Sequence, residues 1–275
     1  MEPIYKVTDE RFDVGNLDQH DLSIEISTER FRFSLKNISS GLIVWLEDYY
    51  LGGGADFEEN QSIIERIYTE HQFLAANFWH KVQVSFVSPF HLVCPEHLFM
   101  PGKEKDYLNI LFDHKLSENF AFRHRNFKES QTTLLIAYPA YFQHFFASKY
   151  PKEKTTFHFT AEEITRSLVE GQDPENLVYI FLDDSCITFY YLDQFNTLQI
   201  ERFPLQSKEY TNLIKNFGDK LCFVFGELTL YSPTFKTLQT TCKNIKFGSS
   251  SARVKFSQYF QDLPQHRYVS LFLLS

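Results

Sequence analysis

Residues 22–49 read LSIEISTERFRFSLKNISSGLIVWLEDY. Leu22, Ile24 and Ile26 alternate with Ser23 and Glu25, the period-two pattern of a strand with one buried face. Phe31, Phe33 and Leu35 repeat that pattern around Arg32 and Ser34. Ser27, Thr28, Glu29 and Arg30 separate the two runs, a spacing that suits a hairpin. A third apolar run over 42–49 follows, so the stretch predicts a three-strand meander.

Outward from the meander, residues 1–20 read as a loose polar arm. Gly52, Gly53 and Gly54 close the third strand as a connector; they lack the Lys-Ser/Thr pair of a phosphate-binding P-loop. Ile63, Ile64, Ile67, Tyr68, Phe73, Leu74 and Phe78 predict a helix over 60–78. Strands are expected at 82–87 and 91–94, with a helical turn opened by Pro95. A short helix over 106–114, strands at 118–128 and 133–138, a helix over 140–150 and a strand at 155–159 follow. Thr160-Ala-Glu-Glu163 has the capping-box spacing, so a helix should start there and reach about Val169.

Gly171-Gln-Asp-Pro174 is the strongest breaker in the chain. It divides the sequence into the arm 1–20, a first lobe 21–172 and a second lobe 173–275. The second half restarts with strands at 177–182, 187–192 and 198–203 and a helix over 208–217. A strand at 221–225 leads to a helix capped by Ser232 with Pro233 at its first position, and a strand at 243–247 ends the series. Each half places three strands ahead of alternating helices and strands. That is the order of a ribonuclease H-like unit. Two such units in one chain define the superfamily of actin, hexokinase and the heat-shock chaperones. The expected fold class is α/β with mixed sheets.

Composition narrows the function. The chain has 275 residues, of which 30 are Phe and 15 Tyr, an aromatic bias that fits pleated, half-buried surfaces and core packing. Tyr49, Tyr50, Phe142 and Phe145 are the candidates for an exposed aromatic partner surface. There are 10 glycines, where average usage would give roughly 19. Phosphate-cradling loops need glycine for close backbone approach, so the scarcity counts against nucleotide chemistry. A net charge of −8 argues against nucleic acid. The densest basic cluster, Arg123, His124, Arg125 and Lys128, reads as a solvated strand or loop face. Cys94, Cys186, Cys222 and Cys242 form no C-x-x-C pair and suit reduced thiols in a cytoplasm. No signal peptide or membrane span is expected. His91, Cys94 and His97 are close in sequence but without standard metal spacing.

Leu22-Ser-Ile-Glu-Ile-Ser27 with Phe31-Arg-Phe33, Phe90-His-Leu-Val-Cys-Pro95 with Glu96, Leu98 and Phe99, and Asn176-Leu-Val-Tyr-Ile180 carry a resemblance to an uncharacterised Bacteroidetes family of the domain-of-unknown-function kind. That resemblance implies an actin-like ATPase fold over roughly residues 20–250 and brings no function with it. The superfamily's three nucleotide loops map onto this sequence. The first phosphate loop, D-x-G-[ST], resembles Glu25-Ile26-Ser27-Thr28, with Ser27 where glycine stands. The second, D-x-G, resembles Asp183-Asp184-Ser185, again with serine for glycine. The adenosine loop resembles Phe225-Gly226-Glu227, which keeps one glycine and puts a carboxylate beside it, a charge expected to repel polyphosphate.

The candidate nucleotide residues are therefore Glu25, Ser27, Thr28, Asp183, Ser185 and Gly226. Asp183-Asp184-Ser185 also suits a plain polar hairpin turn, and Glu25 an outward-facing strand residue. The reading leans away from catalysis: an interaction or scaffold protein with an eroded nucleotide site, no cofactor and no resident metal. Its partner would be another protein, with self-association left open. The alternative is a divergent ATP-binding protein, ATPase or kinase that holds Mg through Glu25 and Asp183.

Overall fold

The computed structural model describes residues 1–52, 57–112, 116, 118–207, 209–249 and 254–272, with the side chains of 57–59 left aside. Gly53 and Gly54 of the glycine run, His114 and Lys208 lie outside the described residues.

The meander forms as its alternation requires. Strands β2 (His20–Ile26), β3 (Arg30–Asn37) and β4 (Leu42–Tyr50) are antiparallel neighbours. Strand β5 (Lys81–Phe86) runs parallel to β2, and β9 (Thr155–Phe159) parallel to β5. The sheet order is β4-β3-β2-β5-β9, with β1 (Tyr5–Thr8) added antiparallel on β4. Helix α1 (Phe57–Glu70) links β4 to β5, and α3 (Ala140–Lys149) precedes β9. One face of the sheet, carrying Ile24, Phe31, Phe33 and Val84, is fully buried in an aromatic core. Its rings meet edge to face, as in Trp45–Phe73 at 5.1 Å and Tyr68–Phe145 at 5.1 Å. The opposite face carries Ser23, Glu25, Arg32, Ser34, Gln83 and Ser85, all buried. A sheet polar on a buried face must find partners there, and that requirement builds the site described below.

The second sheet repeats the order: β12-β11-β10-β13-β14, from β10 (Leu177–Leu182), β11 (Cys186–Leu192), β12 (Leu198–Pro204), β13 (Leu221–Gly226) and β14 (Asn244–Phe247). β13 lies parallel to β10 and to β14. Helices α5 (Tyr210–Lys215) and α6 (Pro233–Thr241) cover its own core, and Ser232 Oγ caps α6 by accepting from Phe235 N at 3.1 Å. A third, smaller sheet, β6-β8-β7, comes from β6 (His91–Pro95), β7 (Phe120–Phe127) and β8 (Thr132–Pro139), with α2 (Glu104–Leu111) on it.

Several expectations change. The arm 1–20 is not loose: β1 pairs with β4, and Leu17 is buried in the main core. Strand β8 belongs to the third sheet, because β6 and β7 flank it on both edges, and β9 takes the place beside β5. The helix expected over 60–78 stops at Glu70, where the His71 ring accepts from Phe73 N and Leu74 N and turns the chain. Phe73 and Leu74 still reach the core, which explains their helical spacing. The capping box at Thr160 does not close. Thr160 Oγ1 instead lies 3.0 Å from Ser85 Oγ, and the N-cap of α4 (Thr160–Val169) is Phe159. Pro95 precedes its turn as the N-cap rather than opening it at the first position. Tyr49, Phe142 and Phe145 are core residues; of that set only Tyr50 is exposed.

The C-terminal segment also departs from its expected lobe. After β14, β15 (Lys255–Phe256) pairs parallel with β4, and Phe260, Tyr268, Leu271 and Phe272 bury against Ile43 and Leu46. The described residues beyond Val254 thus pack on the first sheet, and the last of them form α7 (Val269–Phe272), which lies on β2 and β3.

Candidate functional site

The three loops singled out in sequence are all short strand ends, and most of their backbone N–H groups are bonded within the chain. At the β2–β3 turn, Ser27 Oγ accepts from Arg30 N at 2.9 Å and Glu29 N at 3.2 Å, and Ser27 N donates to Arg30 O. Thr28 O accepts from the buried Asn60 side chain at 2.7 Å. At the β10–β11 turn, Asp183 Oδ1 accepts from Ser185 N at 3.0 Å, Ser185 Oγ at 3.1 Å and Cys186 N at 2.5 Å. At the end of β13, Glu227 N donates to Leu182 O and Leu228 N to Gly226 O.

Between these ends lies an ion-pair network built on the polar face of the first sheet. Glu25 and Arg32 stand directly opposite each other on β2 and β3, and Arg32 Nη1 donates to Glu25 Oε1 at 3.1 Å. Arg32 Nε lies 3.1 Å from Asp48 Oδ2, and its remaining nitrogen donates to Glu227. Arg30 grips Asp184 with both arms of its fork, at 2.6 and 2.5 Å, and stacks over Tyr50. Arg267 closes the set from the C-terminal segment: its Nε donates to Glu227 at 2.6 Å. Ser270 donates to Glu25, and Tyr268 packs its ring under both Arg32 and Arg267. Three arginines thus pair with the four carboxylates Glu25, Asp48, Asp184 and Glu227 across β2, β3, β4, both turns and the C-terminal segment. His266 adds an uncharged contact beside them, with its Nε2 at 2.8 Å from Leu228 O and its ring against Phe247.

Burial pushes the Glu25 carboxyl up, against the pull of Arg32 and Ser270. Burial works to raise Asp184 too, but the Arg30 fork holds it below the ordinary carboxylate value. Glu29 is pushed from 4.5 up to about 7, first by burial and then by the charge of Asp184. Its folded form therefore retains a proton that the unfolded chain has lost. Stability from this group is fully present below 4.5 and falls as pH rises toward 7. Glu29→Gln is expected to flatten that fall, which urea midpoints measured at intervals from pH 4.5 to 7.5 would show. An unchanged slope would mean that Glu29 is not the group responsible.

Of the sequence candidates, Glu25 enters the network, Ser27 and Ser185 close their own turns, and Thr28 contributes only its carbonyl. Asp183 is not brought to Glu25: it holds Arg202 at 2.8 Å, next to buried His91 and Tyr190. Burial lowers His91 to about 4, leaving a neutral ring between Ser88 O and the Tyr190 hydroxyl. Asp184 rather than Asp183 crosses to the first sheet. Gly226, at φ +91°, has a packing reason: a Cβ there would sit 1.9 Å from Leu182 O. Glu227, whose charge is expected to repel phosphate, is the acceptor shared by Arg32 and Arg267. Among the described residues no group of three or more His, Cys, Asp or Glu is placed to hold a metal. Sequence reasoning missed Arg30, Arg32, Asp48 and Arg267. The legible part of that signal was Glu25 facing Arg32, opposite charges at mid-strand positions between fully apolar neighbours.

Two sheets of identical strand order with polar loops meeting between them define the class: the chain has the actin-like ATPase fold. It belongs to the DUF3822 family, described as protein of unknown function, whose model matches residues 9–214. A Bacteroides thetaiotaomicron protein with actin-like ATPase fold and unknown function superposes with TM-score 0.67 at 15% identity, covering 96% of this chain and 99% of that one. The PilM-PilN type IV pilus biogenesis complex gives TM-score 0.49 at 12% identity, over 92% and 96% of the two chains. The ethanolamine utilization protein EutJ from Carboxydothermus hydrogenoformans gives 0.40 at 8%, over 91% and 89%. No curated protein matches the sequence.

Proposed function

We propose that this chain is a non-catalytic interaction protein that keeps the actin-like frame and gives its nucleotide position to internal ion pairs. The observation that supports the reading is the network of Arg30, Arg32 and Arg267 between the three loops. Their cations already have carboxylate partners, and the N–H groups of Glu29, Arg30, Ser185, Cys186 and Glu227 at the loops are bonded within the chain. A triphosphate would have to displace Glu25, Asp48, Asp184 and Glu227 from their arginines, leaving buried carboxylates uncompensated. These residues do not fit Mg-nucleotide. The alternative, an ATPase or kinase holding Mg through Glu25 and Asp183, needs two carboxylates that here serve Arg32 and Arg202 separately. The four free cysteines support a reducing compartment, the cytoplasm. No described helix is long and apolar enough to cross a membrane.

Thermal unfolding in the presence of Mg-ATP or Mg-ADP is expected to show no saturable shift. A ligand present at a hundred times its Kd would stabilise the native state by about 2.7 kcal/mol. A rise that saturates at micromolar nucleotide would overturn the reading.

A further inference from the structure

A concavity of about 460 Å³ opens between β7, β9 and α4, away from the ion-pair network. Two strand edges border it. β9 is the end strand of its sheet and pairs only with β5, and β7 pairs only with β8 among the described residues. Such an edge presents backbone donors and acceptors to any extended chain that reaches it.

The lining is basic on an acidic protein. Arg123, Arg125, Arg166 and His158 face Glu162 and Glu163. Glu162 is shared: Arg123 Nε donates to it at 2.9 Å, while Arg125 Nε stands off at 3.8 Å with its side chain half exposed. Arg166 pairs with Glu163 and is 45% exposed, and His158 is 3.6 Å from the same carboxylate. Two carboxylates therefore serve three guanidinium groups, and Arg125 has no close acceptor for its fork. Gln83, a polar side chain only 5% exposed, also lines the concavity.

We propose that this concavity docks an extended acidic segment of a partner protein, which adds as a strand to the free edge of β9 and sets carboxylates on Arg125 and Arg166. The proposal rests on the reading as an interaction protein and names its surface. Strand addition supplies backbone bonds, while alternate side chains, on one face, supply selectivity. A second copy of this chain is disfavoured as the occupant, because its own β9 edge would bring the same cations face to face. The net charge of −8 weighs likewise against nucleic acid.

The test uses the full chain and a fluorescein-labelled peptide of alternating Glu and Val, read by anisotropy. Saturable binding is expected, weakened by added salt and reduced at least about tenfold by the double variant Arg125→Glu/Arg166→Glu. Arg125→Lys/Arg166→Lys should bind within a few fold of the parent, which separates charge from folding. The same peptide N-methylated at alternate amides should not bind. Four results would overturn the proposal: no binding, equal binding by the Glu variant, undiminished binding of the N-methylated peptide, or a single-stranded oligonucleotide competing for the same arginines. Nucleotide titration of the same sample keeps the two readings apart: saturation by Mg-ATP sinks the interaction-protein reading, whereas peptide failure alone sinks only this surface.

Discussion

Replacing Arg32 with alanine is expected to lower the unfolding free energy by roughly 3–5 kcal/mol, the cost of stranding buried carboxylates without their counter-charge. Arg32 is 4% exposed and meets Glu25, Asp48 and Glu227, which are themselves buried or nearly so. Removing the guanidinium leaves those acids either charged in a poor dielectric or protonated out of register. In thermal terms the loss is on the order of 6–20 °C for a chain of this size. Lys243→Ala makes the control: its pair with Asp219 is exposed on both sides and should leave the midpoint where it is. Denaturant unfolding of both variants decides the matter. An Arg32→Ala midpoint indistinguishable from the parent would mean that the network contributes nothing to the fold, and the case against a nucleotide in this cleft would lose its main support.

Gly226→Ala carries the second large effect, expected at about 3 kcal/mol or more because two penalties coincide. The residue has φ +91°, a backbone region that L side chains rarely adopt, and the new methyl would lie 1.9 Å from Leu182 O, on the neighbouring strand. That oxygen accepts from Glu227 N, so it cannot retreat without breaking the β10–β13 seam and releasing Glu227 from Arg32 and Arg267. Circular dichroism melts of the variant should show a large loss of stability with no nucleotide present. A variant that folds as well as the parent would mean that packing does not require the glycine, and a ligand-approach role would regain its place.

The strands were legible because their signal is local. Alternation in Leu22–Ile26 and Phe31–Leu35 marks which side of each strand leaves water, and the Ser232-Pro233 start of α6 is written in two adjacent residues. Elements without such a signal were misread. Tyr5–Thr8 looks polar and becomes a strand only because β4 offers it a free edge. Thr160-Ala-Glu-Glu163 has the right letters for a capping box, but Ser85 on a neighbouring strand takes the threonine hydroxyl first. Among the site residues, Glu25 was singled out for the part of a metal-binding carboxylate, and the structure gives it an arginine and a serine instead. Glu227 stands out for its charge, but its partners lie 195 and 40 residues away and are not legible beside it.

By itself the sequence determined the repeated order of strands and helices, since hydrophobic periodicity is set by which face of each element must be buried. It also determined that serines stand where the phosphate loops of this fold carry glycine. Only the tertiary structure decided what fills the space those loops enclose. Arg30, Arg32, Asp184, Glu227 and Arg267 are scattered over more than two hundred positions, and nothing local in the sequence pairs them. Burying a charge is tolerable only when its counter-charge is buried with it, and that pairing exists nowhere along the chain until the sheets and the C-terminal segment meet.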